Sequence, residues 1–259
     1  MKSTTRRTVF GQLLQLGVGA TVGLPLEAFP ADQQSESQAK QKKLKVMVVG
    51  AHPDDPESGC GGTIARYSDL GHEVVVVYLT RGEAGIQGKS HQEAASIRTL
   101  EVQKACEVFK ARPVFAGQID GATQVDPAAY DSFYKIIETE SPDLVFTQWP
   151  IDSHRDHRAT SLLVYDAWLQ AGKKFPLYYY EVYSGIQTQT FSSTYYVDIT
   201  RTADRKRAAT FAHVSQTPDQ WYPHHEAMDR FRGFEYGCDL AEAFIRHVQS
   251  PDEALPMGL

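Results

Sequence analysis

The sequence predicts one α/β domain on a mostly parallel sheet, with a polar site at the C-terminal ends of its strands. Three observations carry this expectation. Short β-branched or aromatic runs near residues 45–50, 73–79, 114–116 and 144–147 alternate with stretches of helical spacing, the pattern of β-α-β units with right-handed crossovers. The first run stops at Ala51-His52-Pro53-Asp54-Asp55, a Pro-punctuated turn that puts a histidine and two carboxylates where open α/β folds bind ligands. The run at 144–147 feeds Ser153-His154-Arg155-Asp156-His157 in the same way. Together they give a Rossmann-like three-layer sandwich, with a metal site where these strands end.

Each element has its own signal. Helical spacing at 61–70 (Ile64, Ala65, Leu70) ends at Gly71-His72, and a strand follows at 73–79. His72 falls at the opposite sheet edge from the site and is structural. Residues 80–88 form a Gly-rich loop on the site side, where Arg81 and Glu83 are either solvated or lining a pocket. Residues 90–109 make a long amphipathic helix with Arg98 and Glu101 one turn apart, spaced for an ion pair. A third strand at 114–116 leads into a loop at 120–126 on the active face. A helix at 130–137, the strand at 144–147 and a helix opened by Asp156-His157 and ending at Gly172 complete the next unit. The aromatic runs 177–183 and 195–199 read as strands and 202–212 as a basic helix. Residues 214–234 carry Trp221, Tyr222, His224 and His225; adjacent histidines diverge, so this pair is expected at the surface.

At 259 residues, with 42% hydrophobic and 22% charged content, the chain makes one globular domain with an N-terminal extension. A net charge of -6 and pI near 5.8 argue against nucleic acid, whose phosphates call for a basic face. Lys2, Arg6 and Arg7 precede a mildly apolar run at 9–26, which reads as an export signal over residues 1–31, of twin-arginine type. The run is weak for a permanent span, so no stable membrane anchor is expected after cleavage, and the destination is the periplasm or the exterior. Residues 32–43 are polar and read as a flexible linker, with the folded domain at 44–259. Cys60, Cys106 and Cys238 are an odd set at unrelated spacings, neither a disulfide framework nor a zinc ribbon.

His52 and Asp55 can turn to one point and offer a divalent metal one imidazole nitrogen and one carboxylate oxygen, leaving Asp54 free. A third ligand is available within Ser153-His154-Arg155-Asp156-His157, and three protein ligands leave a position open for water, as catalytic zinc sites do. Either segment alone could be a polar loop with incidental histidines. A dinucleotide-binding turn is excluded, because Asp54 and Asp55 would repel a pyrophosphate and the glycines at 59–62 come too late.

Ala51-His52-Pro53-Asp54-Asp55 with His154-Arg155-Asp156-His157 resembles the PIG-L/LmbE family of zinc-dependent N-acetylglucosaminyl deacetylases, across residues 45–244. Supporting pieces are Gly59-Cys60-Gly61-Gly62-Thr63, Thr80-Arg81-Gly82-Glu83, Arg98, Ala212-His213-Val214-Ser215-Gln216 and Arg232-Gly233. A Pro usually stands in that family where Arg155 stands here, a departure that spares the ligand positions. The resemblance implies Zn2+ on His52, Asp55 and His157, and Fe2+, Co2+ or Mn2+ suit the same donors. It implies hydrolysis of an acetamide by attack of a zinc-bound water, with Asp54 as base, His154 stabilising the oxyanion and Asp156 orienting an imidazole. Arg98, Arg81 and His213 are the implied substrate contacts. The substrate is then a small amino sugar or glycoconjugate. Alternatives are a zinc amidase on another acyl-amine such as a thiol conjugate, and a non-catalytic exported sugar-binding module; a homo-oligomer is compatible with either.

Overall fold

The computed structural model describes residues 43–251. The expected export signal and all of the expected linker but Lys43 lie outside them. The chain runs β1 (Lys45–Gly50), α1 (Asp55–Asp69), β2 (Glu73–Thr80), α2 (His91–Phe109), β3 (Arg112–Gln118), α3 (Pro127–Glu140), β4 (Leu144–Gln148), α4 (Arg155–Gln170), β5 (Leu177–Tyr180), β6 (Tyr195–Asp198), α5 (Ala203–Thr210), α6 (Pro218–Tyr236) and β7 (Ala241–Arg246). A short 3-10 turn, Val214–Gln216, precedes α6. Among the described residues no helix is long and apolar enough to cross a membrane.

The strands form one sheet in the order β3-β2-β1-β4-β5-β7-β6. The first five are parallel, and β7 runs antiparallel to both β5 and β6. Alternation along β1 divides the core into two layers. Val46 and Val48 pack with Ile64, Val102 and Phe109 on the face covered by α1, α2 and α5. Met47 and Val49 pack with Phe133, Ile137, Leu163 and Trp168 on the face covered by α3 and α4. A sheet covered on both faces explains why its central strands are near-continuous apolar runs. It is the expected three-layer α/β sandwich. Strand order reverses between β1 and β4, so the loops leaving their C-terminal ends diverge and open a crevice there.

Two elements differ from the sequence expectation. Helix α1 begins at Asp55, six residues before the expected start at 61, so the turn after β1 is already its N-terminus. Asp54 caps it: its backbone N–H donates to Glu57 Oε2 at 3.1 Å, and Pro56 sits in the first turn, where a missing N–H costs nothing. The glycines that look like helix breakers are close-approach points instead. A Cβ at Gly62 would lie 2.5 Å from Ile199 Cγ2, and one at Gly59 2.6 Å from the Tyr180 ring. The second difference is β7, whose Ala and Glu content is poor strand composition. It forms because Glu242 has buried partners: Lys206 Nζ at 2.9 Å and the backbone N–H groups of Gly62 and Thr63 at 2.8 Å each. Lys206 also holds Asp229 of α6 at 2.8 Å, which ties α6 to the sheet.

Candidate active site

The loops after β1, β3 and β4 bring three imidazoles and several carboxylates to one point. Ring nitrogens of His52, His154 and His157 lie within 4.8 Å of one another, as do ligand atoms of His52, Asp120 and Asp156. Asp55 stands between two of the rings, with Oδ2 at 3.2 Å from His52 Nδ1 and Oδ1 at 3.4 Å from His157 Nε2. The far nitrogens of these rings face other carboxylates. His52 Nε2 is 3.2 Å from both Asp120 Oδ1 and Asp156 Oδ2, and His157 Nδ1 is 3.2 Å from Asp152 Oδ1. An imidazole with a carboxylate behind it is the usual support for a metal ligand, because the carboxylate fixes the tautomer and raises the basicity of the opposite nitrogen.

The electrostatics fit a cation. Burial alone would drive His52 neutral, but its bonds to Asp120, Asp156 and Asp55 outweigh burial and raise its pKa well above the ordinary value. Burial likewise opposes charge on His157, yet Asp55 and Asp152 lift its pKa to about 9. Asp55 is held well below the carboxylate range against its burial by the charges of His157 and His52. The carboxylates around His52 and His157 therefore favour positive charge at this point, and two imidazoles with a carboxylate between them are a donor set that suits a divalent metal.

His154 is in a different state. Burial, then the positive His52 and His157, lower its pKa. Its Nδ1 accepts the Asp156 backbone N–H at 3.3 Å, so the neutral ring carries its proton on Nε2. Asp156 accepts from the Gly121 N–H and the Thr123 hydroxyl at 2.7 Å each and steadies His52. Asp54 sits at φ 102°, a left-handed conformation uncommon outside glycine, and Arg98 donates to both Asp54 Oδ2, at 2.9 Å, and the Pro53 carbonyl. Burial raises the Asp54 pKa to about 6 although Arg98 opposes it.

A cavity of about 400 Å³ opens over this cluster, within the range of small-molecule sites. His52, Asp54, Asp55, His154, His157 and Arg98 all line it. Arg98 does not pair with Glu101, which instead accepts from Ser215. Two expected substrate contacts are corrected. His213 has no exposed surface and lies 3.1 Å from Glu57 Oε1 behind the wall, so contact with substrate is closed to it. Arg81 reaches over the Phe115 ring, outside the cavity lining. His225, expected at the surface, is buried and lines the cavity, whereas His224 is exposed.

Asp120, Asp152, Trp221 and Tyr183 were not legible as site residues. Asp120 had a usable signal: it begins the turn after β3, and every strand end on this edge is a candidate. Asp152 stands two residues before His154 without a motif of its own. Trp221 and Tyr183 come from α6 and the loop after β5, distant in sequence and joined only by packing.

Residues 47–168 match the family model PIG-L, described as GlcNAc-PI de-N-acetylase. The chain is 28% identical to diacetylchitobiose deacetylase of Thermococcus kodakarensis over 224 residues, 79% of this chain and 83% of the relative. The solved N,N'-diacetylchitobiose deacetylase of Pyrococcus horikoshii superposes with TM-score 0.70 at 27% identity, over 80% of this chain and 87% of that one. The conserved protein TT1542 of Thermus thermophilus gives TM-score 0.71 at 30% identity, over 83% of this chain and 99% of that one.

Proposed function

The chain belongs to the PIG-L/LmbE family, and from that premise we propose that it is an exported, zinc-dependent hydrolase removing the N-acetyl group from an N-acetylglucosamine-type sugar or glycoconjugate. The observation that supports it most is the pairing of a cation-ready cluster with one carboxylate, Asp54, that lines the same cavity and is not needed to balance the cluster. The substrate class follows the diacetylchitobiose deacetylases, and the acidic chain agrees with a neutral ligand. Export rests on Arg6-Arg7 and the apolar run at 9–26.

His52, Asp55 and His157 would hold the metal through the two nitrogens and the carboxylate that face one another. A divalent cation bound there supplies a Lewis acid for the amide carbonyl and acidifies a water. Asp54, ionised near neutral pH and fixed by Arg98, takes the proton from the attacking water and delivers it to the departing amine nitrogen. The Nε2–H of neutral His154 donates to the carbonyl oxygen as negative charge develops on it. Asp120, Asp156 and Asp152 keep the imidazoles of His52 and His157 in register. Trp221 offers the sugar an apolar face in the same cavity.

The test uses the zinc-loaded full chain with N-acetylglucosamine, N,N'-diacetylchitobiose and a non-sugar acetamide. Acetate and free amine should appear in equal amounts from at least one of the sugars and in preference to the plain acetamide. A zinc-loaded protein that releases acetate from neither sugar contradicts the proposal.

A further inference from the structure

The seam between loop 181–187 and α6 carries a second cavity, of about 420 Å³, beside the one over the metal cluster. The two share Tyr183 as a wall. We propose that this second cavity is a subsite for an alkyl or aryl group attached to the amino sugar, so that the preferred substrate is an N-acetylated sugar with an apolar aglycone. This rests on the deacetylase reading above.

Continuity is the first argument. Val182 and Gln187 of the loop, with Trp221 and His225 of α6, face the metal-side cavity, while Ile186 of the same loop and His224 and Phe231 of the same helix face the second. A substituent that runs from a sugar over the cluster past Tyr183 is thus directed at the second space.

Chemistry is the second. Ala227, Met228, Phe231 and Ile186 form the walls, and the exposed large apolar residues Ile186 (55%) and Phe231 (56%) are left facing solvent. The charged groups at the floor are already matched. Arg232 Nε and Nη2 donate to the two oxygens of Glu181 at 2.6 and 2.8 Å, Arg232 Nη1 donates to Glu235 at 2.7 Å, and the Ser184 hydroxyl donates to Glu181. Arg232 and Glu181 are engaged with each other, so the surface this cavity has left to offer a ligand is mainly its apolar side chains. An apolar group gains by covering the wall and breaks none of these bonds.

The wall itself is the third argument. Tyr183 is held at φ 51°, a left-handed conformation that an aromatic residue adopts at a cost. Its hydroxyl lies 3.2 Å from His224 Nδ1, and its ring stacks on His225 with centroids 5.7 Å apart. His224 and His225 thus fix the ring at the boundary between the two cavities.

The experiment is calorimetric binding of the hexyl and methyl β-glycosides of N-acetylglucosamine to the metal-free full chain, followed by acetate release from both with zinc present. Burial of one methylene is worth a factor of about 4, so two buried methylenes make the hexyl glycoside bind more than about tenfold tighter. Phe231→Ser and Ile186→Ser, at exposed positions that the fold does not depend on, should each cut that ratio to below about threefold. Equal binding of the two glycosides, or a hexyl advantage undiminished in both variants, overturns the subsite. So does a gain of the same size from N,N'-diacetylchitobiose, which would make the cavity a sugar site. Acetate release from the methyl glycoside without any hexyl advantage sinks the subsite alone and leaves the deacetylase reading standing. A hexyl advantage in binding, lost in the variants, with no acetate from either glycoside, supports the apolar subsite and removes the deacetylase reading.

Discussion

Replacing Asp54 by Asn separates proton transfer from every other job at the site, and the structure allows its consequences to be worked out. Asn tolerates the left-handed backbone at φ 102° at least as well as Asp, so the turn keeps its shape, whereas Ala there would add strain. The amide oxygen still accepts from Arg98, now at 2.9 Å from the carboxylate, but the charge is gone. Arg98 is only 3% exposed, so loss of its ionic partner shows as lower stability, on the order of 1–3 kcal/mol. Asp54 pairs with Arg98, whereas Asp55 is the carboxylate that stands against His52 and His157, so the metal stays. Turnover is another matter. General-base catalysis is worth roughly 10²–10⁴-fold, so kcat should fall by at least about 10²-fold, about 2.7 kcal/mol of lost transition-state stabilisation, with KM little changed. The assay is acetate release at fixed bound zinc, well below the melting temperature of the variant. A kcat within about fivefold of wild type refutes the assignment of the base, and loss of zinc from the variant means that Asp54 is a ligand.

Three further outcomes follow, two from the structure and one from the N-terminal sequence. Asp152→Asn removes the carboxylate behind His157 Nδ1 and should weaken metal affinity by roughly 10–100-fold in competition with a chelator; unchanged affinity would show that Asp152 does not support the ligand. Burial first, and then Lys206, depress the His225 pKa to about 3, so the unfolded chain binds a proton on this ring below about pH 6.5 that the folded chain refuses. Stability is therefore full above about pH 6.5 and declines as pH falls toward 3, by about 2 kcal/mol at about pH 5. Urea melts in chelator should lose that increment in His225→Gln, and identical pH dependence of the two proteins would contradict it. Changing Arg6 and Arg7 to Lys should hold the precursor in the cytoplasm, and undiminished export of that variant rules out the twin-arginine route.

Much of the centre was readable because its signals are local. His52 and Asp55 sit three residues apart at one strand end, and a second strand end delivers His154, Asp156 and His157; the parallel topology makes these ends meet. Residues whose role comes from packing were not readable. Gly59, Gly61 and Gly62 have the look of a loop, and only the nearness of Tyr180, Lys206 and Ile199 in space explains why glycine stands at these helical positions. His213 looks like a polar group available to substrate, but Glu57 and the Tyr78 hydroxyl behind it form a buried polar network that draws it inward. His225 reads as half of a surface pair until α6 is pinned by Asp229 to Lys206, which turns the ring onto Tyr183 and into the cavity wall. Asp120 and Asp152 escape because a carboxylate that supports a ligand has no required spacing from it, only a required position in space.

Acetate release from N,N'-diacetylchitobiose, measured on one preparation first stripped of metal and then titrated with zinc, tests the central claim most directly. Activity should be absent in the stripped protein and rise linearly to about one zinc per chain, the stoichiometry set by a single three-ligand centre. His52→Ala, Asp55→Ala and His157→Ala should each fail to recover it at that ratio. Full activity in the stripped protein, or recovery in any of the three variants at one zinc per chain, contradicts the account.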